Sequence, residues 1–392
     1  MRIVGITAEY NPFHQGHARH LAEARRLSGA DYVIVAMSGN YVQRGAPAMF
    51  DKYARAEAAL TGGADLILEL PPRVATGSAE YFASGAVRLL AGTGLVTDLC
   101  FGAECDDPDA LARLARVLSE EPEKYRLCLK DALRRGRSYP EARAWALGQY
   151  DPALPLALLA SPNNLLGVEY LKALFRQKCS LRVQVLKRAG ASYHEPFLTP
   201  GTAASAGAIR GALIKSGGTF NAEIRAQLPF LQTFRDYEGK TPITEDAFSL
   251  LLLERLRRNP QETFDSFFGV TAELSNRIRN RLDDLTSFSR SVELLKTRNL
   301  TETAVRRALL HILLDIRTCR PPACFRVLGF RKEAVSLLAG LKERGNLPLV
   351  TSASDDTLPE DWLFADRLYE SVRSLLHGRP FRNERRRKML VL

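Results

Sequence analysis

The sequence predicts an α/β fold, with a parallel sheet in the first half of the chain followed by a mainly α-helical C-terminal domain. Three observations carry that expectation. Up to residue 215, apolar strand-like runs alternate with helical patterns, the order that a parallel sheet covered on both faces requires. At Lys215-Ser-Gly-Gly-Thr219 the composition shifts, and mainly helical segments follow. The chain has 392 residues, 46% of them hydrophobic and 25% charged, enough for two domains with a sizeable core.

Strands are expected at 3–8, 32–37, 66–70, 98–101 and 182–186, where short apolar runs rich in Ile, Val and Leu meet turn residues. Helices are expected between them at 16–27, 53–61, 79–91, 110–120 and 165–177, where apolar residues recur at helical spacing. The second half reads as helices at 245–258, 272–282, 292–296, 302–316, 331–344 and 360–376, interrupted by one extended piece at 324–328. Ligands in such sheets bind beyond the carboxyl ends of the strands. The segments 11–17, 38–44, 102–104 and 188 onward fall there.

The most informative of these segments is the first. An apolar strand runs into Asn11-Pro12, and a helix then opens with His14-Gln-Gly16-His17. A helix start has unpaired N–H groups and a partial positive charge, so it attracts phosphate. Residues three apart share a helix face, so His14 and His17 can both donate to phosphate oxygens as negative charge builds up in a transition state. Gly16 leaves room for a nucleotide. The competing reading is a capped helix with surface histidines. Half of the chain's six histidines, His14, His17 and His20, fall within its first twenty residues, which favours a triphosphate site and attack on an α-phosphate.

Composition narrows the partners. A net charge of +11 points to a polyanion, RNA before lipid, since no long amphipathic basic anchor is visible. No run approaches a membrane span, and the first residues read as a core strand rather than a signal peptide, so a cytoplasmic protein is expected. The six cysteines lack zinc-site spacing and read as buried free thiols.

Four further segments carry candidate chemistry. Ser38 to Arg44, with Lys52 and Arg55, could line a small-substrate pocket and meet phosphate or carboxylate. Gly102 and Glu104 follow a strand, where a base or ribose can approach. Asn163 and Asn164 read first as a helix cap and second as amides that contact adenine or ribose. Arg188, then Ser205 and Arg210 at a helix start, read either as a clamp on the β- and γ-phosphates or as a cap with a surface arginine.

Together these segments resemble a known family over nearly the whole chain. The stretches are Ala8-Glu-Tyr-Asn-Pro-Phe-His-Gln-Gly-His17, Met37-Ser-Gly through Gln43-Arg-Gly45, Asp65-Leu-Ile-Leu-Glu-Leu-Pro71 and Ser78-Ala-Glu-Tyr-Phe-Ala-Ser-Gly85. Phe101-Gly102, Pro162-Asn-Asn-Leu-Leu-Gly-Val-Glu-Tyr170 and Arg326-Val-Leu-Gly-Phe330 complete the set. They look like the tRNA(Met) cytidine acetate ligase family, within the nucleotidyltransferase superfamily of H-x-G-H type.

The resemblance implies a Rossmann-like nucleotidyltransferase domain at 1–215 that binds ATP and carries catalysis, then a mainly helical, basic tRNA-binding domain at 216–392. It implies that ATP and acetate give acetyl-adenylate and pyrophosphate, and that the acetyl group passes to the exocyclic amine of the wobble cytidine in elongator tRNA(Met). His14, His17 and Arg210 would be catalytic. The ATP site would use Thr7, Ala8, Glu9, Tyr10, Asn11, Pro12, Phe13, His14, Gln15, Gly16, His17, Ala18, Arg19, His20, Gly102, Asn163, Arg188, Ala189 and Ser205. Mg2+ is expected to bridge the phosphates, although no carboxylate pair is visible to hold it.

Basic helices supply the expected RNA surface: Arg277, Arg279, Arg281, Lys296, Arg298, Arg306 and Arg307, with Arg379, Arg382 and the run Arg385 to Lys388. Two departures stand out. Asn40 stands where the family usually has aspartate, and Gly207 where threonine is usual. The alternatives are an adenylyltransferase acting on a small phosphorylated cofactor precursor, or a non-catalytic tRNA-binding protein that uses ATP. A class I aminoacyl-tRNA synthetase is disfavoured, because no Lys-Met-Ser-Lys-Ser-like loop is present.

Overall fold

The computed structural model describes residues 1–188, 204–259, 261–354 and 356–392. In chain order the strands are β1 (Ile3–Ala8), β2 (Tyr32–Ser38), β3 (Tyr41–Val42), β4 (Ala46–Pro47), β5 (Leu66–Leu70), β6 (Asp98–Ala103) and β7 (Arg182–Lys187). They are followed by β8 (Phe325–Phe330), β9 (Leu349–Val350) and β10 (Leu390–Val391). The main sheet runs β10-β8-β5-β2-β1-β6-β7, with β9 on β8, while β3 and β4 form a separate hairpin. All pairings in the main sheet are parallel except β5 with β8, where Leu66 faces Phe330.

Side chains alternate between the two faces of the sheet. Val4, Ile6, Val33, Val35 and Met37 enter one core, whereas Ile3, Ile34, Ala36, Leu66 and Leu99 enter the other. The helices Gln15–Ser28 and Lys52–Thr61 cover the first face, and Ala79–Gly92 and Pro162–Gln177 cover the second. The five strands expected in the first half all form.

Three features differ from expectation. The helices Glu123–Arg134 and Tyr139–Tyr150 form where none was foreseen. The extended piece near 324–328 is not a helical interruption: β8 joins the main sheet and is followed there by β9 and β10. The first core also runs on from Ile6 and Val35 through Phe248, Leu252 and Leu309, so apolar packing crosses the expected boundary at 215/216. The cysteines are free, but only Cys100 and Cys324 are buried and the other four are half-buried. Among the described residues, no helix is long and apolar enough to cross a membrane.

Strand order creates a crevice. From β1 the chain builds outward through β2 and β5 on one side, then crosses to β6 and β7 on the other. The carboxyl ends of β1 and β6 therefore flank a topological switch point, where connections diverge and leave room for a ligand.

Candidate active site

The switch point is where the first histidines lie. After β1, Tyr10 takes a left-handed conformation (φ 50), and the Asn11–Pro12 peptide is cis. Asn11 is buried, and its Oδ1 accepts from the Met49 N–H at 2.9 Å. Its carbonyl accepts from Arg210 Nη1 at 2.6 Å. His14 is the N-cap of the helix Gln15–Ser28 and forms a reciprocal capping box with His17.

The cap bonds fix both tautomers. Nδ1 of His14 accepts from the Gly16 N–H at 3.0 Å, and Nδ1 of His17 accepts from the His14 N–H at 3.3 Å. Each Nδ1 is an acceptor, so each neutral ring carries its proton on Nε2. The rings lie 3.8 Å apart between centroids. Gly16 has a different role from the one expected: a Cβ there would stand 2.8 Å from Cε1 of His14, so the missing side chain makes room for the imidazole.

All three histidines of this helix are held neutral. Burial pushes His14 down to about 3, helped by the charges of Arg188 and Arg210. Burial also drives His17 well below its ordinary value, with His14, His20 and Arg188 adding to the effect. His20 falls to about 4 through burial and Arg188. Its Nε2 lies 3.6 Å from Sγ of Cys100 on β6. Arg188 directly follows β7 and rests its Cγ 3.4 Å from where a Cβ on Gly102 would be. Paired imidazoles, a helix N-terminus, a side-chain-free strand end and two guanidinium groups thus surround one crevice. That set can bind a polyphosphate and stabilise charge on its inner phosphorus.

The remaining expected residues sort by contact. The Thr7 hydroxyl bonds the hydroxyl of Tyr170, and Glu9 Oε1 accepts from the Gln43 N–H at 2.9 Å. Ala8 ends β1, Pro12 forms the cis turn, and Phe13 is buried against Gly62. Gln15 is exposed and bonds the Ala226 carbonyl at 2.6 Å, Ala18 is half-buried, and Arg19 faces solvent. Ala189 lies outside the described residues.

Asn163 does not cap its helix as expected. Its Nδ2 donates to Glu104 Oε1 at 2.5 Å, and Glu104 Oε2 accepts the Asn164 N–H at 2.9 Å. A carboxylate from the end of β6 thus satisfies that helix start. Ser205 is an N-cap whose Oγ accepts from the Ala208 N–H at 3.1 Å, leaving its own hydroxyl hydrogen to donate. A side chain at Gly207 would meet only ordinary contacts, Ser205 Oγ at 3.6 Å and Arg210 Nη2 at 3.9 Å.

Lys52 and Arg55 correct the sequence reading. Both are fully buried and neither can meet a substrate. Arg55 donates to the carbonyls of Glu9 at 2.6 Å, Ser38 at 3.0 Å and Phe50 at 2.9 Å, and also to Gly39. It fastens the turn after β1 to the turn after β2. Lys52 pairs with Glu69 at 3.1 Å, Asp366 at 2.6 Å and Glu384 at 3.0 Å. Arg326 joins the same cluster through Glu69 at 3.2 Å, Asp366 at 3.0 Å and Glu384. Asn40 donates to Asp366 at 3.0 Å and accepts from the Lys52 N–H at 2.9 Å. The amide is therefore matched to a carboxylate neighbour, which accounts for Asn40 without an acidic role. Sequence reasoning missed this cluster because its carboxylates come from distant segments.

Much of the expected RNA surface is already engaged. Arg277 donates to the carbonyls of Leu295 and Leu294 at 3.1 and 3.3 Å. Arg281 pairs with Asp284 at 3.1 Å, Arg298 with Glu141 at 3.5 Å, and Arg306 with Glu245 and Glu302. Arg307 is half-buried, while Arg279 and Lys296 are exposed. Near the C-terminus, Arg379 and Arg382 share Asp236, Arg385 faces Glu360, and Arg387 lies over the Tyr53 ring.

Fold and site together define a nucleotidyltransferase of H-x-G-H type, and a family model described as HIGH Nucleotidyl Transferase matches residues 1–384. A tRNA(Met) cytidine acetate ligase of Acetivibrio thermocellus is 39% identical over 371 residues, covering 91% of this chain and 89% of its own. One from Halothermothrix orenii is 36% identical, covering 100% of this chain and 99% of its own. A Thermotoga maritima TmcAL crystal structure, bound with alpha-thio ATP, superposes with a TM-score of 0.90 at 31% identity, covering 100% of both chains. The chain belongs to the tRNA(Met) cytidine acetate ligase family.

Proposed function

We propose that this chain is an ATP-dependent ligase that activates acetate as acetyl-adenylate and passes the acetyl group to N4 of the wobble cytidine in elongator tRNA(Met). The observation that carries the reading is the neutral imidazole pair at the switch-point crevice, in a chain so similar to ligases of that name. In the first step an acetate oxygen attacks the α-phosphorus in line, and the bond to the bridging oxygen breaks. Pyrophosphate leaves with the electron pair. The Nε2–H groups of His14 and His17 donate to the α-phosphate, while Arg210, Arg188 and the Ser205 hydroxyl hold the departing phosphates. Gly102, Asn163 and Ala189 complete the nucleotide site. In the second step the cytidine amine attacks the acetyl carbonyl carbon, AMP leaves, and the amine loses a proton.

Among the described residues, no group of three or more His, Cys, Asp or Glu side chains is placed to hold a metal. Mg2+ fits this site only as a companion of the ATP phosphates. The tRNA contacts include Arg277, Arg279, Arg281, Lys296, Arg298, Arg306 and Arg307, of which Arg279 and Lys296 are exposed and have no ion-pair partner among the described residues. The helical half from 216 onward carries most of this surface. We place the protein in the cytoplasm with its tRNA. The test is to mix the protein with ATP, labelled acetate and unmodified elongator tRNA(Met). Label entering the tRNA at the wobble cytidine supports the ligase. Adenylyl transfer to another acceptor without acetate, or tRNA retention with no ATP turnover, overturns it.

A further inference from the structure

The helix Glu123–Arg134 has a face that nothing in the fold explains. Arg126, Lys130 and Arg134 recur at four-residue intervals and are all exposed. Four-residue spacing sets charges on one side of a helix, about 6 Å apart along its axis. None of the three has an ion-pair or hydrogen-bond partner among the described residues. Three of the neighbouring carboxylates are engaged elsewhere: Glu121 with Arg176 at 2.8 Å, Asp131 with Arg135 at 2.9 Å, and Glu141 with Arg298 at 3.5 Å; Glu123, in the first turn, makes no ion pair with Arg126. Leu129 and Leu133 lie between the cations and line a shallow groove with them. Three cations held at close range with no ion pair of their own are unfavourable in the isolated protein, and a polyanion relieves that repulsion.

The packed pair of helices Glu123–Arg134 and Tyr139–Tyr150 is also continuous with the second half of the chain. Glu141 opens the adjoining helix Tyr139–Tyr150, and its contact with Arg298 brings that helix to the segment carrying Lys296. The helix pair is anchored from beneath: Tyr125, Ala132, Ala142, Ala146 and Leu147 are all buried. It therefore presents its charges on a fixed support.

We propose that Arg126, Lys130 and Arg134 form an RNA phosphate-backbone contact, so that the tRNA is gripped by the first half of the chain as well as by the helical second half. This rests on the proposed function for the identity of the RNA, but not for the existence of the contact. An RNA backbone fits better than a protein partner because the stripe places a cation at every fourth residue and adjoins the segment carrying Lys296 and Arg298. The contact is sequence-independent: it positions the anticodon arm and leaves base discrimination to other residues.

The experiment compares the full-length protein with the triple variant Arg126→Glu, Lys130→Glu, Arg134→Glu, and with the milder triple to Gln at the same positions. Binding of an elongator tRNA(Met) transcript is measured by filter retention across a salt series. Acetate-dependent ATP–pyrophosphate exchange is measured without RNA. The expected result is affinity weakened by roughly tenfold or more, with the slope of log K against log salt flattened by about 2 to 3 in the Gln variant, and exchange unchanged. Unchanged affinity and slope in both variants overturns the contact. So does wild-type binding to vesicles of anionic phospholipid that the variants lose while keeping RNA affinity. Absence of acetate-dependent exchange in the wild type counts against the proposed function instead, and the RNA comparison still decides the stripe.

Discussion

The backbone N–H of His14 donates to Nδ1 of His17, and the two rings stack with centroids 3.8 Å apart. The helix cap and the proposed phosphate site thus share the same two residues. The bonds that end the helix consume both Nδ1 acceptors, and what remains for a ligand is a pair of Nε2–H donors. In the proposed function, neutral rings would stabilise charge as it develops rather than bind anions indiscriminately. His17→Ala removes one such donor and is expected to slow acetate-dependent pyrophosphate exchange about a hundredfold or more, near 3 kcal/mol. tRNA affinity should hold. Exchange at the wild-type rate would remove His17 from the chemistry.

Acid should loosen the fold through these same rings. In the unfolded chain each histidine titrates near 6.5, whereas His14 and His20 are depressed to about 3 and 4 in the folded chain. The unfolded state binds protons that the native state refuses, so stability is complete above about 6.5 and drains away as pH falls toward 4. His14→Asn keeps a good N-cap residue and deletes one titrating group. The drop in melting temperature between pH 7.5 and pH 5 should be smaller in that variant. An equal drop would mean that His14 is not held neutral by the fold.

Gly16→Ala tests how closely the imidazole is held. The added methyl would stand 2.8 Å from Cε1 of His14, so the ring must move. Exchange activity should fall at least tenfold while the melting temperature changes little, since alanine favours the helix. Retained activity would show that His14 works without its present position.

Asn40→Asp puts a second carboxylate against Asp366, whose own carboxyl burial already pushes up to about 6, against the pull of Lys52. Two adjacent buried carboxylates resist joint ionisation. A raised carboxyl favours the folded state in full only below its unfolded value near 3.9, and that contribution is lost as pH rises through its folded value. The variant should lose about 1 to 3 kcal/mol at pH 8 and less at pH 5, measured by denaturant unfolding. Equal losses at both pH values would argue against a shared proton.

How much of this was legible follows from where each signal lies. The strands, the switch-point segments and the histidine pair are local patterns, and the local order of apolar and special residues carries them. β8 was visible as an extended piece, but its place beside β5 was not, because that pairing joins residues more than 250 positions apart. The helix Glu123–Arg134 was hidden by four basic residues among its apolar ones, and Tyr139–Tyr150 by Pro140, Gly148 and a weak apolar period. Lys52 and Arg55 misled for a related reason. A cation after a site loop looks like a phosphate ligand until Glu69, Asp366, Glu384 and four backbone carbonyls are seen around the pair.

The account's central claim concerns where a triphosphate lies. A crystal structure with a non-hydrolysable ATP analogue tests it most directly. The expected result is an α-phosphate oxygen within hydrogen-bond reach of Nε2 on His14 and on His17, with the outer phosphates toward Arg210. A nucleotide bound elsewhere, with the crevice between β1 and β6 empty, would contradict it.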